Sequence, residues 1–98
     1  MSEIKFKFED LKVYQKSIIF IDKVYVITSK FPKEESYRLT SQFVRAATSI
    51  ALNIAEGSGD TNAQFRRFLR IALQSLKECV VCLTIAKNQN YISIDENQ

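Results

Sequence analysis

The stretch Arg45-Ala46-Ala47-Thr48-Ser49-Ile50-Ala51-Leu52-Asn53-Ile54-Ala55-Glu56-Gly57 constrains the fold more than any other part of the chain. It reads as a helix whose buried face is made of small residues. Phe43, Ala46, Ile50 and Asn53 recur at helical spacing, and Val44, Ala47, Ala51 and Ile54 do the same beside them. Two adjoining stripes make an apolar arc wide enough to touch two neighbours at once. Alanine in both stripes lets those neighbours come close, so such a helix belongs inside a bundle. Asn53, polar within a seam, predicts a fixed register between helices.

The rest of the composition agrees with a helical fold. A chain of 98 residues makes one domain with a modest core. Only two glycines and one proline are present, which leaves little room for the turns of a many-stranded sheet. No apolar stretch approaches the length of a membrane span, and Met1 to Phe6 lacks the apolar core of a signal peptide. The expectation is a cytoplasmic protein with no membrane partner. Cys79 and Cys82 form a C-x-x-C pair, but with no histidine and no other cysteine a zinc site lacks half its ligands. The pair also falls late in a helix, whereas a redox pair sits at a helix N-terminus where the thiolate is stabilised. Both read as packing residues, and no metal or cofactor is expected.

Three helices are predicted. The first spans 9–30, with Leu11, Tyr14, Ile18, Ile21, Tyr25 and Thr28 in one seam and Val13, Phe20 and Ile27 in a second. Lys12, Lys16, Lys23 and Lys30 fall together as a solvated stripe. Phe31-Pro32-Lys33 ends this helix, because proline cannot continue it. The second spans 34–56, with Glu34 and Glu35 suited to its first turn by the helix dipole. After Gly57-Ser58-Gly59-Asp60, Thr61 and Gln64 match a capping box that opens the third helix, 61–88. Its seam is Phe65, Leu69, Ala72, Leu76, Cys79, Leu83 and Ala86. Short connections make neighbouring helices antiparallel, so the fold class is an all-α, up-down bundle.

Chemistry is harder to find than architecture. Arg66, Arg70 and Lys77 project from one stripe of the third helix, with Arg67 further round. Arg38 and Arg45 add to a middle segment whose only acids between Ser36 and Lys77 are Glu56 and Asp60. Arginine forks suit phosphate geometry, so these six residues are the candidate nucleic-acid contacts. No aromatic stacking platform accompanies them, which argues against base-specific reading. The net charge of +3 adds only a mild basic bias. Glu56 and Asp60 flank a flexible turn with no third partner, so they make a poor catalytic pair, and Glu56 is expected to pair with Arg45 or Arg70. No enzymatic constellation is present. Ile19 and Val26 form a third apolar strip on the first helix, and Val81 and Ile85 lie on the outer side of the third. A monomer would leave all four wet, which makes them the candidate oligomer contacts.

Several ordered motifs together resemble a known family. They are Phe8-Glu9-Asp10-Leu11-Lys12-Val13-Tyr14-Gln15-Lys16, Phe31-Pro32-Lys33-Glu34-Glu35, Leu39-Thr40-Ser41-Gln42, the Arg45–Gly57 run, Phe68-Leu69-Arg70-Ile71-Ala72-Leu73 with Ser75-Leu76, and Tyr91-Ile92-Ser93. The chain resembles the small bacterial proteins encoded in intervening sequences of 23S ribosomal RNA genes, to which the accessory variability determinant of diversity-generating retroelements is related. The resemblance implies a four-helix bundle, a ring-shaped homopentamer with a basic surface, and no enzymatic activity. The retroelement relative implies RNA and a reverse transcriptase as partners. Gln74 stands where the family often has a small residue.

Two readings follow. In the first, an oligomeric helical protein binds RNA or DNA through a basic surface. In the second, it is a protein–protein adaptor such as a reverse-transcriptase accessory protein. The resemblance also implies a fourth helix, and Ser93-Ile94-Asp95-Glu96 looks like the start of one, with the helix itself absent or truncated within 93–98. Three helices of a four-helix arrangement leave an apolar face open. That face is expected at Phe20 and Ile27, or at Phe68, Ile71 and Cys82.

Overall fold

The computed structural model describes residues 6–93. Within them a short 3-10 turn (Lys7–Asp10) leads into α1 (Lys12–Thr28). A second 3-10 turn (Lys33–Glu35) precedes α2 (Leu39–Gly57), and α3 (Asn62–Asn88) follows. No strand occurs among the described residues. The start proposed at Ser93-Ile94-Asp95-Glu96 lies beyond them, apart from Ser93.

The helix ends differ from the sequence-based spans for local reasons. Leu11 is extended, at φ -70° and ψ 128°, so it separates the 3-10 turn from α1. Glu9 closes that turn by accepting the Phe6 N–H on Oε2 at 2.7 Å. At its other end α1 unwinds through Ser29, Lys30 and Phe31, whose N–H groups donate to the Tyr25, Ile27 and Thr28 carbonyls. The second helix starts at Leu39 rather than Glu34, because Arg38 sits at φ -121° and ψ -102°, outside the helical region. Glu35 still serves α2 from outside, with Oε1 accepting the Leu39 N–H at 3.3 Å. Thr61 caps α3 as expected, its Oγ1 accepting the Gln64 N–H at 3.2 Å. The reciprocal half of the capping box is replaced: the Thr61 N–H donates to Asp60 Oδ1 at 2.7 Å. At the far end Asn90 adopts a left-handed φ of 63°. Tyr91 N–H then reaches the Ala86 carbonyl and Asn90 N–H the Lys87 carbonyl, a Schellman closure.

α2 lies between α1 and α3 and packs against both. Gly57 meets Phe68, Ile54 shares a cleft with Ala72, Ser49 bonds Ser75, and Phe43 lies by Cys79. That descending-against-ascending order makes α2 and α3 antiparallel. Val13 beside Ile54 and Phe31 beside Phe43 do the same for α1 and α2. At about 1.5 Å per residue the longest helix, α3, accounts for most of the 43 Å long axis.

The alanine-lined helix behaves as its sequence requires. Phe43, Ala46, Ala47, Ala51 and Ile54 are buried, and Gly57 extends the small-residue face to the helix end. A Cβ on Gly57 would stand 2.8 Å from Phe68 Cβ, so only hydrogen fits where α3 crosses. Asn53 is tied to Ser49, donating to its carbonyl at 2.8 Å and its Oγ at 3.0 Å. Ser75 Oγ of α3 donates to the same Ser49 hydroxyl at 2.9 Å. The register is therefore held through Ser49, one turn from Asn53.

α1 departs most from the expected pattern. Ser17, Val24 and Thr28 are its buried residues, while Ile18 and Tyr25 are exposed. Leu11, Tyr14 and Ile21 are half-buried. Ser17 satisfies its hydroxyl on the Tyr14 carbonyl at 2.6 Å, which lets a polar residue take a core position. On α3 the expected seam largely holds, with Ala72, Cys79 and Ala86 buried. Leu76 is the exception and is exposed, and Ser75 and Cys82 take the buried places beside the seam.

Candidate functional site

The basic residues distribute over separate surfaces. Arg66, Arg70 and Lys77 are exposed on α3. Arg70 and Lys77 each come two positions before a buried residue, Ala72 and Cys79. Two positions are about 200° of helical turn, so the backbone of this stripe faces away from α2, while the Lys77 side chain reaches the rim of a groove between α2 and α3. Arg67 is also exposed and sets its guanidinium 5.8 Å from the Phe68 ring centre, a cation–π contact. Arg45 is exposed on α2, on the line that leads seven residues on to exposed Leu52. Arg38 is exposed at the break before α2. Helical phase thus joins Arg66, Arg70 and Lys77, and leaves Arg38 and Arg45 elsewhere.

The stripe carries free charge. Among the described residues, Arg45, Arg66, Arg70 and Lys77 make no ion pair, and Glu56 does not form the bond expected of it with Arg45 or Arg70. Guanidinium and ammonium groups without carboxylates keep their full field for an anionic ligand. Asp60, the other acid of this region, is turned to its own backbone through the Thr61 N–H.

Two apolar grooves flank the same helix. A furrow runs between α1 and α3 with α2 as its floor. One stretch is lined by Phe20, Ile27, Phe43, Leu76, Val80 and Leu83. The next is lined by Val13, Ile50, Ile54, Leu69, Leu73 and Leu76. Leu76 belongs to both, so the furrow is continuous. The open face therefore lies at Phe20 and Ile27. Of the other expected residues, Cys82 is only 3% exposed, and Phe68 and Ile71, half-buried like Phe20 and Ile27, do not line this furrow. On the opposite flank, a groove of about 390 Å³ runs between α2 and α3, lined by Leu39, Gln42, Lys77, Glu78, Val81 and Ile85. The candidate oligomer residues fall on two surfaces. Ile19 and Val26 stand on the outer side of α1, and Val81 and Ile85 line this second groove.

Cys79 and Cys82 are free and buried, and burial pushes the Cys79 thiol up to about 11. A thiol held protonated is a poor nucleophile and a poor metal ligand. Among the described residues no cluster of three or more histidine, cysteine, aspartate or glutamate side chains could hold a metal ion. Among the described residues no helix is long and apolar enough to cross a membrane.

The residues after α3 fasten to the connection between α1 and α2. Tyr91 donates its hydroxyl to Glu35 Oε2 at 2.7 Å, and its ring lies 5.5 Å from that of Phe31. The Tyr91 bond, then the Leu39 N–H, hold the Glu35 carboxyl below its ordinary range, and the same bond raises the Tyr91 phenol. Tyr37 escaped the sequence reading. It is 96% exposed in the turn before α2, beside Arg38. Its signal was faint: an aromatic in a charged turn, outside every periodic stripe.

A model of the family described as 23S rRNA-intervening sequence protein matches residues 9–98 of the chain. None of the curated proteins matches it.

Proposed function

The chain belongs to the 23S rRNA-intervening sequence protein family, and on that premise we propose a non-enzymatic, self-associating cytoplasmic protein that binds structured RNA through α3. The observation that carries the reading is the outward stripe of Arg66, Arg70 and Lys77, free of carboxylate partners among the described residues. Such a stripe contacts phosphates and reads no bases. Arg67, Arg38 and Arg45 are secondary contacts on this reading.

Self-association is supported by the two separate apolar surfaces. When the α1 strip of one copy seats in the α2–α3 groove of the next, the contact is head-to-tail, and head-to-tail contacts make a ring where the rotation between copies closes. The homopentamer implied by the resemblance is the ring we propose. One basic stripe per subunit then repeats around it, and modest sites add through multivalency. The bundle is of the four-helix type on this reading, with the furrow between α1 and α3 as its fourth position.

Replacing Arg66, Arg70 and Lys77 together by alanine tests the RNA reading. The variant should lose most affinity for a structured RNA, and its salt slope should flatten by roughly 0.7–0.9 for each phosphate contact removed. Native-like affinity with an unchanged slope would refute it. A second reading, a protein–protein adaptor such as a reverse-transcriptase accessory protein, is favoured by one observation, the length of exposed apolar furrow along α1 and α3.

A further inference from the structure

We propose that neighbouring copies of this chain meet with α1 of one lying antiparallel across α3 of the next, held by two ion pairs: Asp22 with the partner subunit's Lys77, and Lys23 with the partner subunit's Glu78. The inference rests on the self-association reading and gives that contact its direction and its charges.

The two apolar strips are built alike. On α1, Ile19 and Val26 are exposed, and Asp22 and Lys23 come three and four positions after Ile19. Three and four positions place them about 60° and 40° to either side of Ile19. On α3, Val81 and Ile85 are exposed, and Lys77 and Glu78 come four and three positions before Val81, so they straddle it in turn. Each strip therefore carries an acid on one flank and a base on the other. All four charged residues are exposed, and among the described residues none of them makes an ion pair. Neither strip lines the furrow between α1 and α3, so a helix seated there leaves both strips available.

Handedness decides which flank meets which. Seen from outside with its N-terminus below, a right-handed helix rises from left to right. Asp22 then lies to the left of Ile19 and Lys23 to its right. Lys77 lies to the left of Val81 and Glu78 to its right. When two helices are laid face to face in the same direction, the left of one meets the right of the other. Acid would then fall beside acid and base beside base, which opposes docking. In opposite directions left meets left, so Asp22 faces Lys77 and Lys23 faces Glu78. The heights agree as well. With Ile19 set against Val81, Asp22 and Lys77 stand about 4.5 and 6 Å along the axis, and Lys23 and Glu78 about 6 and 4.5 Å, all on the same side. Glu78 lines the α2–α3 groove with Gln42, so Lys23 finds its acceptor inside the groove that takes the strip. Lys77 then serves the subunit contact as well as the basic stripe.

Sedimentation velocity at one protein concentration tests the contact, with circular dichroism to show that each variant keeps its fold. Asp22→Lys and Lys77→Glu, both at exposed positions, should each weaken association by about tenfold, and the two together in one chain should restore most of it. Lys23→Glu with Glu78→Lys repeats the test on the second pair. A native chain that stays monomeric would overturn this contact and the self-association reading together. An assembly that the single reversals leave intact, or that the double variants fail to restore, would overturn the contact and leave self-association standing. An Asp22→Lys assembly tighter than the native one would overturn the direction, because a crossing in the same direction puts residue 22 beside Glu78.

Discussion

Gly57→Ala is the sharpest probe of how α2 and α3 are held together. In an ordinary helix the change stabilises, by about 0.5–1 kcal/mol, because alanine loses less backbone entropy on folding. Here the added Cβ would lie 2.8 Å from Phe68 Cβ, 3.0 Å from Phe65 Cδ1 and 3.1 Å from Phe68 Cδ2. The nearest atom is fixed to the α3 backbone, so a rotamer change cannot clear it. The helices must separate at that end, and overpacking of this kind costs about 1–3 kcal/mol. Repulsion wins, for a net loss of about 1–2 kcal/mol, or roughly 5–15 °C in Tm for a domain of this size. Urea unfolding followed by circular dichroism gives the midpoint and slope. Gly59→Ala is the control: nothing lies within 4 Å of its Cβ, but its φ of 84° costs a side chain about 1 kcal/mol through the backbone. Phe65→Ala should not rescue Gly57→Ala, because the closest clash is with Phe68 Cβ. A Gly57→Ala protein as stable as the native one, or more so, would refute the close approach.

Three further outcomes are expected. Ser49→Ala should cost about 1–2 kcal/mol, since it strands the buried Ser75 hydroxyl, and the Ser49→Ala/Ser75→Ala double variant should cost less than the sum in a double-mutant cycle. The Glu35–Tyr91 bond gives a pH signature at both ends. Glu35 is lowered in the fold, so its contribution is present above the ordinary carboxylate value and lost as pH falls through the lowered one. Tyr91 is raised, so its contribution is present below the ordinary phenol value and lost as pH rises through the raised one. Tyr91→Phe should remove the alkaline dependence from the urea midpoint and weaken the acid one, leaving the part that the Leu39 N–H supplies, and an unchanged pH profile would count against the bond. Asn90→Gly should be neutral within a few tenths of a kcal/mol, whereas Asn90→Val should cost about 1–2 kcal/mol at its left-handed φ, read from thermal melts.

Legibility in the sequence varied with how local each cause was. α2 was plain because its small residues recur over five turns, and the α3 start was plain because Thr61 needs only its own neighbours. α1 misled because isoleucines and valines surround it almost completely. Among so many apolar positions, periodicity alone could not tell that Ser17 and Val24 face inward and Ile18 and Tyr25 outward. Ser17 is admitted to the core by a bond to its own backbone, which no hydrophobic pattern records. Beside the break at Arg38, Glu35 takes the Leu39 N–H and the Tyr91 hydroxyl, and the Tyr91 contact spans 56 positions. Among the site residues, the alignment of Arg66, Arg70 and Lys77 followed from spacing, and the distance of Arg38 and Arg45 from them needed the packing.

The position of α2 between its neighbours has a kinetic meaning. α2 and α3 are joined by a four-residue link and packed along most of their lengths, while α1 enters through a longer connection and rests chiefly on α2. α1 can therefore lift away without dismantling the α2–α3 pair. Its amides should exchange with solvent through a partial opening, at lower free energy than the alanine-rich middle of α2, which should exchange only on global unfolding.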